Sequence, residues 1–222
     1  DGLACALIYE DGKLVQAITR GDSRIGEDVT MNVRTIQNVP LKLRLSQKFA
    51  HFMRGRTEIR GEIVMFKKDF DTLNASRKAT GLPLFKNPRN LAAGTIRQLD
   101  PGLVSQRPLH FIGYDIIRDQ LEDTPTIEYG YSALAELGIA TSKQTRVVHG
   151  IDEIMKYADH LATAREKLPF NTDGAVIKLN DRTQFAQLGV VGKAPRAAVA
   201  YKFAAEEATT IVKDIVISIG RT

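Results

Sequence analysis

The start of the chain constrains the fold most, because two short apolar segments there enclose a tight-turn sequence. Residues 3–9 and 14–19 are rich in Ala, Leu, Ile and Val, and Glu10-Asp11-Gly12-Lys13 lies between them. An Asp-Gly pair between apolar runs is a strong hairpin signal, since the turn needs residues that tolerate positive φ. The chain is therefore predicted to begin as two antiparallel strands.

The pattern along the rest of the chain predicts an α+β fold. Strands are predicted at 58–65, 110–117, 174–180, 197–203 and 210–219, and helices at 66–81, 90–98, 151–161 and 182–188. The last helix has Asp181 at its N-cap position, and the apolar stripe at 151–161 is interpreted as core. Strands grouped in hairpins with interspersed helices favour mainly antiparallel sheets with flanking helices.

Composition allows a sizeable core and excludes several classes of protein. The chain has 222 residues, 43% of them hydrophobic, one cysteine and a formal net charge of +5. A single cysteine, Cys5 in an apolar run, excludes an intrachain disulfide framework and is expected to be buried. No apolar run approaches the ~20 residues of a membrane span. These features predict a cytoplasmic protein without a membrane partner, and the positive charge suits nucleic acid or nucleotide phosphates.

One small-residue segment carries two arginines. Residues 87–100 read NPRNLAAGTIRQLD, in which Asn87-Pro88 predicts a turn and 90–98 a short helix. Arg89 lies at the helix entrance and Arg97 about two turns later, so both could contact an extended anionic partner. A solvated helix with scattered charges explains the segment equally well.

Three of the charged residues inside predicted strands are candidates for a binding site. Lys178 follows Ala175-Val176-Ile177, and Lys202 ends the run AAVAYK at 197–202. Lysine is depleted from strands and an unpaired buried ammonium group is costly, so we expect the two lysines to hold one anion between them. Glu62 has two open interpretations, which are an ion pair with Arg60 on the same strand face and a ligand contact.

Seven short segments then follow one another in a recognisable order. They are DGLA at 1–4, TRGD at 19–22 with GEDV at 26–29, RGE at 60–62, the segment at 87–100, DGAVIK at 173–178, APR at 194–196 with AYKF at 200–203, and GRT at 220–222. In this order they resemble the adenylation, or nucleotidyltransferase, domain of bacterial NAD-dependent DNA ligases. The resemblance covers the chain from end to end.

The resemblance implies the nucleotidyltransferase fold of covalent DNA ligases and their chemistry. In that family a lysine attacks the α-phosphate of NAD⁺, nicotinamide mononucleotide leaves, and a lysyl-AMP phosphoramidate forms. AMP then passes to the 5′-phosphate of a DNA nick, and the 3′-hydroxyl displaces it to seal the strand. The expected cofactors are NAD and Mg²⁺, the expected partner is nicked double-stranded DNA, and the protein is expected to be a monomer.

The resemblance also implies roles for single residues. Lys178 and Lys202 would act as paired cations on the α-phosphate, and Glu62 would hold the AMP ribose. Arg20 would contact the nucleotide and Tyr114 would pack against adenine. Glu62 and Asp173 would orient the waters around a catalytic Mg²⁺. The cations expected to face DNA phosphates or nucleotide are Arg89, Arg97, Arg165 and Arg196.

One departure from the family concerns the nucleophile. The family's nucleophilic lysine lies in Lys-x-Asp-Gly, whereas this chain begins at Asp1-Gly2, so that lysine is expected just upstream and the chain as printed is not expected to form lysyl-AMP. The expected boundaries are an N-terminally truncated nucleotidyltransferase domain at 1–205 and a last strand at 206–222 leading toward an oligonucleotide-binding domain. Zinc is expected only in a further domain of the family.

Two alternatives stay open. An ATP-dependent ligase or an RNA-capping type of nucleotidyltransferase would share the lysine chemistry. The segment at 87–100, however, does not match those enzymes. A basic DNA-binding module without chemistry would need exposed lysines. Lys178 and Lys202, embedded in predicted strands, argue against it.

Overall fold

A four-stranded antiparallel sheet lies at the centre of the fold, in the strand order β2-β1-β3-β4. Its strands are Leu3–Glu10 (β1), Lys13–Thr19 (β2), Arg56–Val64 (β3) and His110–Ile117 (β4). The computed structural model describes residues 1–21, 25–192, 194–204, 209–215 and 217. The predicted hairpin is confirmed, because β1 pairs with β2 around a turn in which Asp11 and Gly12 have φ values of 48° and 71°.

Two smaller antiparallel pairs follow later in the chain. Gly174–Lys178 (β5) pairs with Ala198–Lys202 (β8), and Val190–Val191 (β6) pairs with Ala194–Pro195 (β7). Between them, α7 (Arg182–Leu188) begins as predicted. The Asp181 side chain accepts a hydrogen bond from the Gln184 amide at 2.8 Å, which satisfies one free amide of the first turn.

The remaining helices flank the sheets. They are α1 (Thr30–Val33), α2 (Lys67–Ala79), α3 (Pro88–Ile96), α4 (Pro101–Ser105), α5 (Ile127–Glu136) and α6 (Gly150–Ala164), with 3₁₀ turns at Ala50–Met53, Leu121–Asp123 and Arg165–Lys167. The α3 helix starts two residues earlier than predicted, since Asn87 caps it and Pro88 fits the first turn. The sequence reasoning missed α1, α4 and α5.

The main core lies against the four-stranded sheet. Its fully buried members include Leu7, Ile59, Phe111, Ile96 and Leu134, which come from β1, β3, β4, α3 and α5. Cys5 is buried as expected, and burial raises the pKa of its thiol to about 12. None of the described helices is long and apolar enough to cross a bilayer.

Two expectations about the later half of the chain are wrong. The stripe of α6 is only partly buried, since Ala158 is 4% exposed but Ile151 is 67% exposed. The helix packs against β5, which belongs to a two-stranded sheet too narrow to cover it. Residues 210–215 and 217 form no strand, and the rest of the predicted strand at 210–219 lies outside the described residues.

Two glycines give opposite stability predictions. At Gly61 in β3, an added Cβ would lie 2.2 Å from the Phe111 ring and 2.5 Å from the Ile112 carbonyl oxygen, whereas at Gly94 in α3 it would meet nothing within 4 Å. We expect Gly61→Ala to lower the free energy of unfolding by about 1–3 kcal/mol through overpacking. Gly94→Ala should raise it by about 0.5–1 kcal/mol by reducing unfolded-state entropy. Urea denaturation measures both, and equal shifts would contradict the packing at Gly61.

Candidate functional site

Four of the predicted site residues lie on strands of the two sheets, Glu62 on β3, Tyr114 on β4, Lys178 on β5 and Lys202 on β8. Contacts between the regions of the two sheets include the following. The Asp1 amino group donates a hydrogen bond to the Asn171 carbonyl oxygen at 2.6 Å, just before β5. The Lys178 ammonium group at the end of β5 lies 5.2 Å from the centre of the Tyr114 ring on β4.

A β-bulge orients Tyr114. Gly61 pairs with Gly113 and Arg60 pairs with Asp115, so Tyr114 is the extra residue between two paired positions of β4. Bulges often redirect a side chain next to a functional site. Burial raises the pKa of the Tyr114 phenol, the charge of Glu62 raises it further, and the charges of Arg60 and Arg20 oppose them. Glu62 and Arg20 are therefore close enough to Tyr114 to act on it electrostatically.

Glu62 is not paired with Arg60, so that interpretation is wrong. The Arg60 Nε atom lies 2.7 Å from a Glu58 carboxylate oxygen. Glu58 lies two residues before Arg60 in β3, whereas Glu62 lies two residues after it. Among the residues that the structure describes, none donates a hydrogen bond to the Glu62 carboxylate. Its charge acts on Tyr114 and on the Asp1 amino group. The carboxylate is therefore available to a ligand.

Lys202 and Asp173 form the second half of the cluster. The Lys202 Nζ atom lies 2.6 Å from an Asp173 carboxylate oxygen, and both side chains are 65% exposed. This hydrogen bond and the lysine charge hold the pKa of Asp173 below its ordinary value. Glu62, Asp173, Arg89 and Lys202 all act on the Asp1 amino group, whose pKa burial lowers. The first residue of the chain therefore lies among these charged groups.

Lys178 has a different environment from Lys202. Burial lowers the pKa of its ammonium group, and Arg182 and Arg60 lower it further, while the carboxylate of Asp115 opposes them. Asp115 is held by an ion pair with Arg182, whose guanidinium group also donates to the Ile116 carbonyl oxygen at 3.1 Å. The sequence analysis missed this pair, because no local pattern connects residues 67 positions apart.

The expectation that Lys178 and Lys202 hold one anion between them stays a prediction, and the strand register sets their backbones apart. In the β5–β8 ladder Lys178 is opposite Ala198, whereas Lys202 is opposite Gly174. The two lysines share a face but lie at opposite ends of the ladder, separated by about 13 Å at ~3.3 Å per residue. Their amino groups also contact different partners, the Tyr114 ring and the Asp173 carboxylate.

Two of the four arginines expected to contact phosphates form ion pairs with carboxylates. Arg89 contacts Asp1 at 2.9 Å, which adds it to the cluster at the start of the chain. Arg97, one residue beyond α3, contacts Glu27 at 2.7 Å. Both arginine side chains are about half exposed, at 55% and 48%. These pairs are therefore accessible to a competing anion.

The other two arginines lie near the ends of β8. Arg165, after α6, donates to the Ala204 carbonyl oxygen at 3.4 Å and lies 6.0 Å from the Phe203 ring centre, near Lys202. Arg196 precedes the Lys178 end of the ladder, and its backbone amide donates to the Gly189 carbonyl oxygen at 3.0 Å. The structure therefore places the four arginines at separate positions and does not bring them together.

The described side chains provide few ligands for a metal ion. They contain no group of three or more His, Cys, Asp or Glu residues suited to hold one directly. Glu62 and Asp173, which both act on the Asp1 amino group, are the two carboxylates in the cluster that could accept hydrogen bonds from metal-bound water.

Comparison with known proteins assigns the chain to a family. The family model described as the NAD-dependent DNA ligase adenylation domain matches residues 1–206. The chain belongs to this family. The adenylation-domain resemblance expected from the seven segments is therefore confirmed.

Relatives of this adenylation domain are named DNA ligase. The protein from Thermomicrobium roseum is 46% identical over 223 residues, that from Bdellovibrio bacteriovorus 45% over 227, and that from Koribacter versatilis 42% over 222. Each match covers 100% of this chain and 32–33% of the relative. The chain thus spans about a third of the length of these curated relatives.

The separation of the two lysines predicts a selective pKa change. Lys202→Met should raise the pKa of Asp173 toward that of a free aspartate, because it removes both the hydrogen bond and the positive charge that lower it. Lys178→Met removes the same charge at the other end of the ladder and should leave Asp173 unchanged. Carboxyl ¹³C NMR titration measures both.

The lowered pKa of Asp173 fixes how the stability of the fold responds to pH through this ion pair. Since the pKa is lowered in the folded state, the ion pair stabilises the fold above the pKa of an unfolded aspartate, and this stabilisation is lost as the pH falls through the folded value. The large exposure of both partners keeps the effect small. An equal response of Asp173 to both lysine variants would contradict the observed separation.

Proposed function

We propose that this adenylation domain forms lysyl-AMP from NAD⁺ and transfers AMP to the 5′-phosphate of a DNA nick, so that the strand can be sealed. The observation that carries the proposal is the position of Asp1 in a chain of this family. The family's Lys-x-Asp-Gly motif aligns its Asp-Gly with Asp1-Gly2, and Asp1 lies among Glu62, Asp173 and Lys202.

The chemistry of the nucleophile follows from this position. A lysine just before Asp1 would enter a cluster that already contains the Lys202 cation. A neighbouring positive charge disfavours protonation of an amine, so the lysine pKa would fall and more of it would be nucleophilic. Lys202 would also stabilise the charge that develops on the α-phosphate as nicotinamide mononucleotide leaves.

Because the two lysines are separated, each would contact a different part of the nucleotide. We assign the α-phosphate to Lys202 alone, in place of a pair of cations. Tyr114 would pack against the adenine base, and Lys178, whose ammonium group lies 5.2 Å from the centre of the Tyr114 ring, would lie at the same end of the nucleotide. Glu62 would accept hydrogen bonds from the ribose hydroxyls, and Arg20 would contact the nucleotide from the end of β2.

Mg²⁺ belongs to the same proposal. Glu62 and Asp173 would accept hydrogen bonds from its water ligands, and the bound ion would neutralise charge on the phosphates. The Asp173 carboxylate would also keep the Lys202 ammonium group in position.

The DNA contacts would lie on and around α3. Two cavities of about 460 and 270 Å³ flank this helix, and the smaller is lined by Lys86, Arg107, amide side chains, Gly94 and apolar residues, with no carboxylate. Such a lining suits a phosphodiester backbone. Arg89, Arg97, Arg165 and Arg196 would bind DNA or nucleotide phosphates, Arg89 and Arg97 by exchanging a carboxylate for a phosphate.

A monomeric cytoplasmic protein and the domain boundary at 205/206 also remain proposals.

Lysyl-AMP formation tests the proposal directly. In the complete protein incubated with NAD⁺, intact mass spectrometry should detect one covalent AMP. Lys202→Ala should slow its formation by roughly 10²-fold, as for loss of a preorganised charge donor, whereas Lys178→Ala should mainly weaken nucleotide binding. Lys156→Ala removes an exposed lysine of α6 and serves as the control. Unimpaired adenylation by the Lys202 variant would exclude the phosphate assignment, and preference for ATP would favour the alternative nucleotidyltransferases.

Arg97 provides a separate test of the DNA contacts. Arg97→Ala should weaken binding to nicked DNA and reduce the slope of log K against log[salt] by about one unit, with little change in lysyl-AMP formation. Lys48→Ala removes an equal charge beside Phe49, which packs on Tyr129 of α5, and should leave both measurements nearly unchanged. Equal losses of adenylation and DNA binding in the Arg97 variant would instead assign Arg97 to the nucleotide.

A further inference from the structure

We infer that Asn32 is a positioning residue for Arg97, and this inference rests on the proposed role of Arg97 in DNA binding. Asn32 lies in α1 and is 7% exposed. Its Nδ2 atom donates hydrogen bonds to the carbonyl oxygens of Ile96 and Gln98, both at 2.7 Å. These are the residues immediately before and after Arg97.

The chemistry of the amide explains why this residue type suits the position. The last carbonyl groups of a helix have no intrahelical donor, and α3 ends at Ile96. An asparagine amide has two N–H donors, so one side chain can satisfy both carbonyl groups. Because these groups flank Arg97, the two bonds fix the backbone from which its side chain extends.

The helix that carries Asn32 is itself anchored to the edge of the large sheet. The Thr30 hydroxyl accepts a hydrogen bond from the Ala17 amide of β2 at 2.8 Å and donates to the Asp28 carboxylate at 2.6 Å. The Val29 amide donates to the Ala17 carbonyl oxygen at 2.9 Å. These bonds therefore hold Asn32 in a fixed position relative to the large sheet, and Asn32 in turn fixes the backbone around Arg97.

The same segment also contacts the Arg97 side chain. Glu27, five residues before Asn32, forms the 2.7 Å ion pair with the Arg97 guanidinium group. This pair is exposed and exchangeable, whereas the Asn32 bonds are largely buried. When a DNA phosphate displaces Glu27, the Asn32 bonds remain and keep Arg97 preorganised, which lowers the entropic cost of the contact.

A matched pair of asparagine variants tests the inference in the complete protein. Asn38 provides the control, since its side chain also makes two hydrogen bonds to backbone, to the Phe111 carbonyl oxygen and amide at 2.7 and 2.9 Å, but on β4. We expect Asn32→Ser to weaken nicked-DNA binding about tenfold, close to the loss for Arg97→Ala, and Asn38→Ser to change it little. Lysyl-AMP formation should be nearly equal in both serine variants.

The double variant distinguishes positioning from general destabilisation. If Asn32 acts through Arg97, then Asn32→Ser should cause no further loss of DNA binding in the Arg97→Ala background. Hydrogen exchange should also become faster at 94–99 in Asn32→Ser, and not in Asn38→Ser. Asn32→Asp, which replaces the donors by a carboxylate facing two carbonyl oxygens, should give a larger effect of the same kind if it folds.

The outcomes separate this inference from the proposed function. An Arg97→Ala variant that weakens DNA binding, combined with an additive or absent effect of Asn32→Ser, would overturn the inference alone. Unchanged exchange at 94–99 in Asn32→Ser would also overturn it. An Arg97→Ala variant that binds nicked DNA normally would overturn the DNA role of Arg97 and the inference with it.

Discussion

The antiparallel register of β5 and β8 is the constraint on which the site depends. It places Lys178 and Lys202 on one face but at opposite ends of a five-residue ladder. Contacts lie near both ends of this ladder: Asp1, just before β1, bonds to Asn171, just before β5, and at the other end Lys178 meets Tyr114 of β4 while Arg182 of α7 pairs with Asp115 of β4. In the proposed function, a ligand between the sheets would contact one lysine at each end, which would favour an extended molecule such as a dinucleotide over a single small anion.

Three of the cations proposed to bind phosphates form ion pairs with carboxylates in this structure. Asp173 contacts Lys202, Asp1 contacts Arg89, and Glu27 contacts Arg97, all within 3 Å. Exposed ion pairs of this kind contribute little to stability. In each pair the carboxylate compensates the positive charge of its cationic partner and holds that side chain in one position. Phosphate binding at these positions is then an exchange of one anion for another, which favours multiply charged or multidentate ligands over isolated monovalent anions.

The sequence predicted the parts of the fold that local chemistry determines. The Asp11-Gly12 turn, the strands at β3 and β4 and the Asp181 cap of α7 each follow from a few adjacent residues. Within the predicted strand at 210–219, the described residues 210–215 and 217 form no strand, because an apolar run forms a strand only if a partner covers it, and Ile211 and Ile215 are 84% and 79% exposed. In the site, the residue types could be identified from motifs. The distance between the two lysines could not, because it depends on how β5 and β8 pair, and neither strand's sequence determines that register by itself.

The contrasting burial of the two lysines agrees with the different roles proposed for them. A phosphate is charged and strongly hydrated, so a lysine that binds it must remain accessible, as the exposed Lys202 does. An aromatic ring attracts a cation more strongly when water is excluded, and the half-buried Lys178 meets the Tyr114 ring under that condition. Burial alone would favour the neutral amine, but the Asp115 carboxylate stabilises the charged form. Arg182 in turn holds that carboxylate by an ion pair, although its own positive charge lowers the Lys178 pKa.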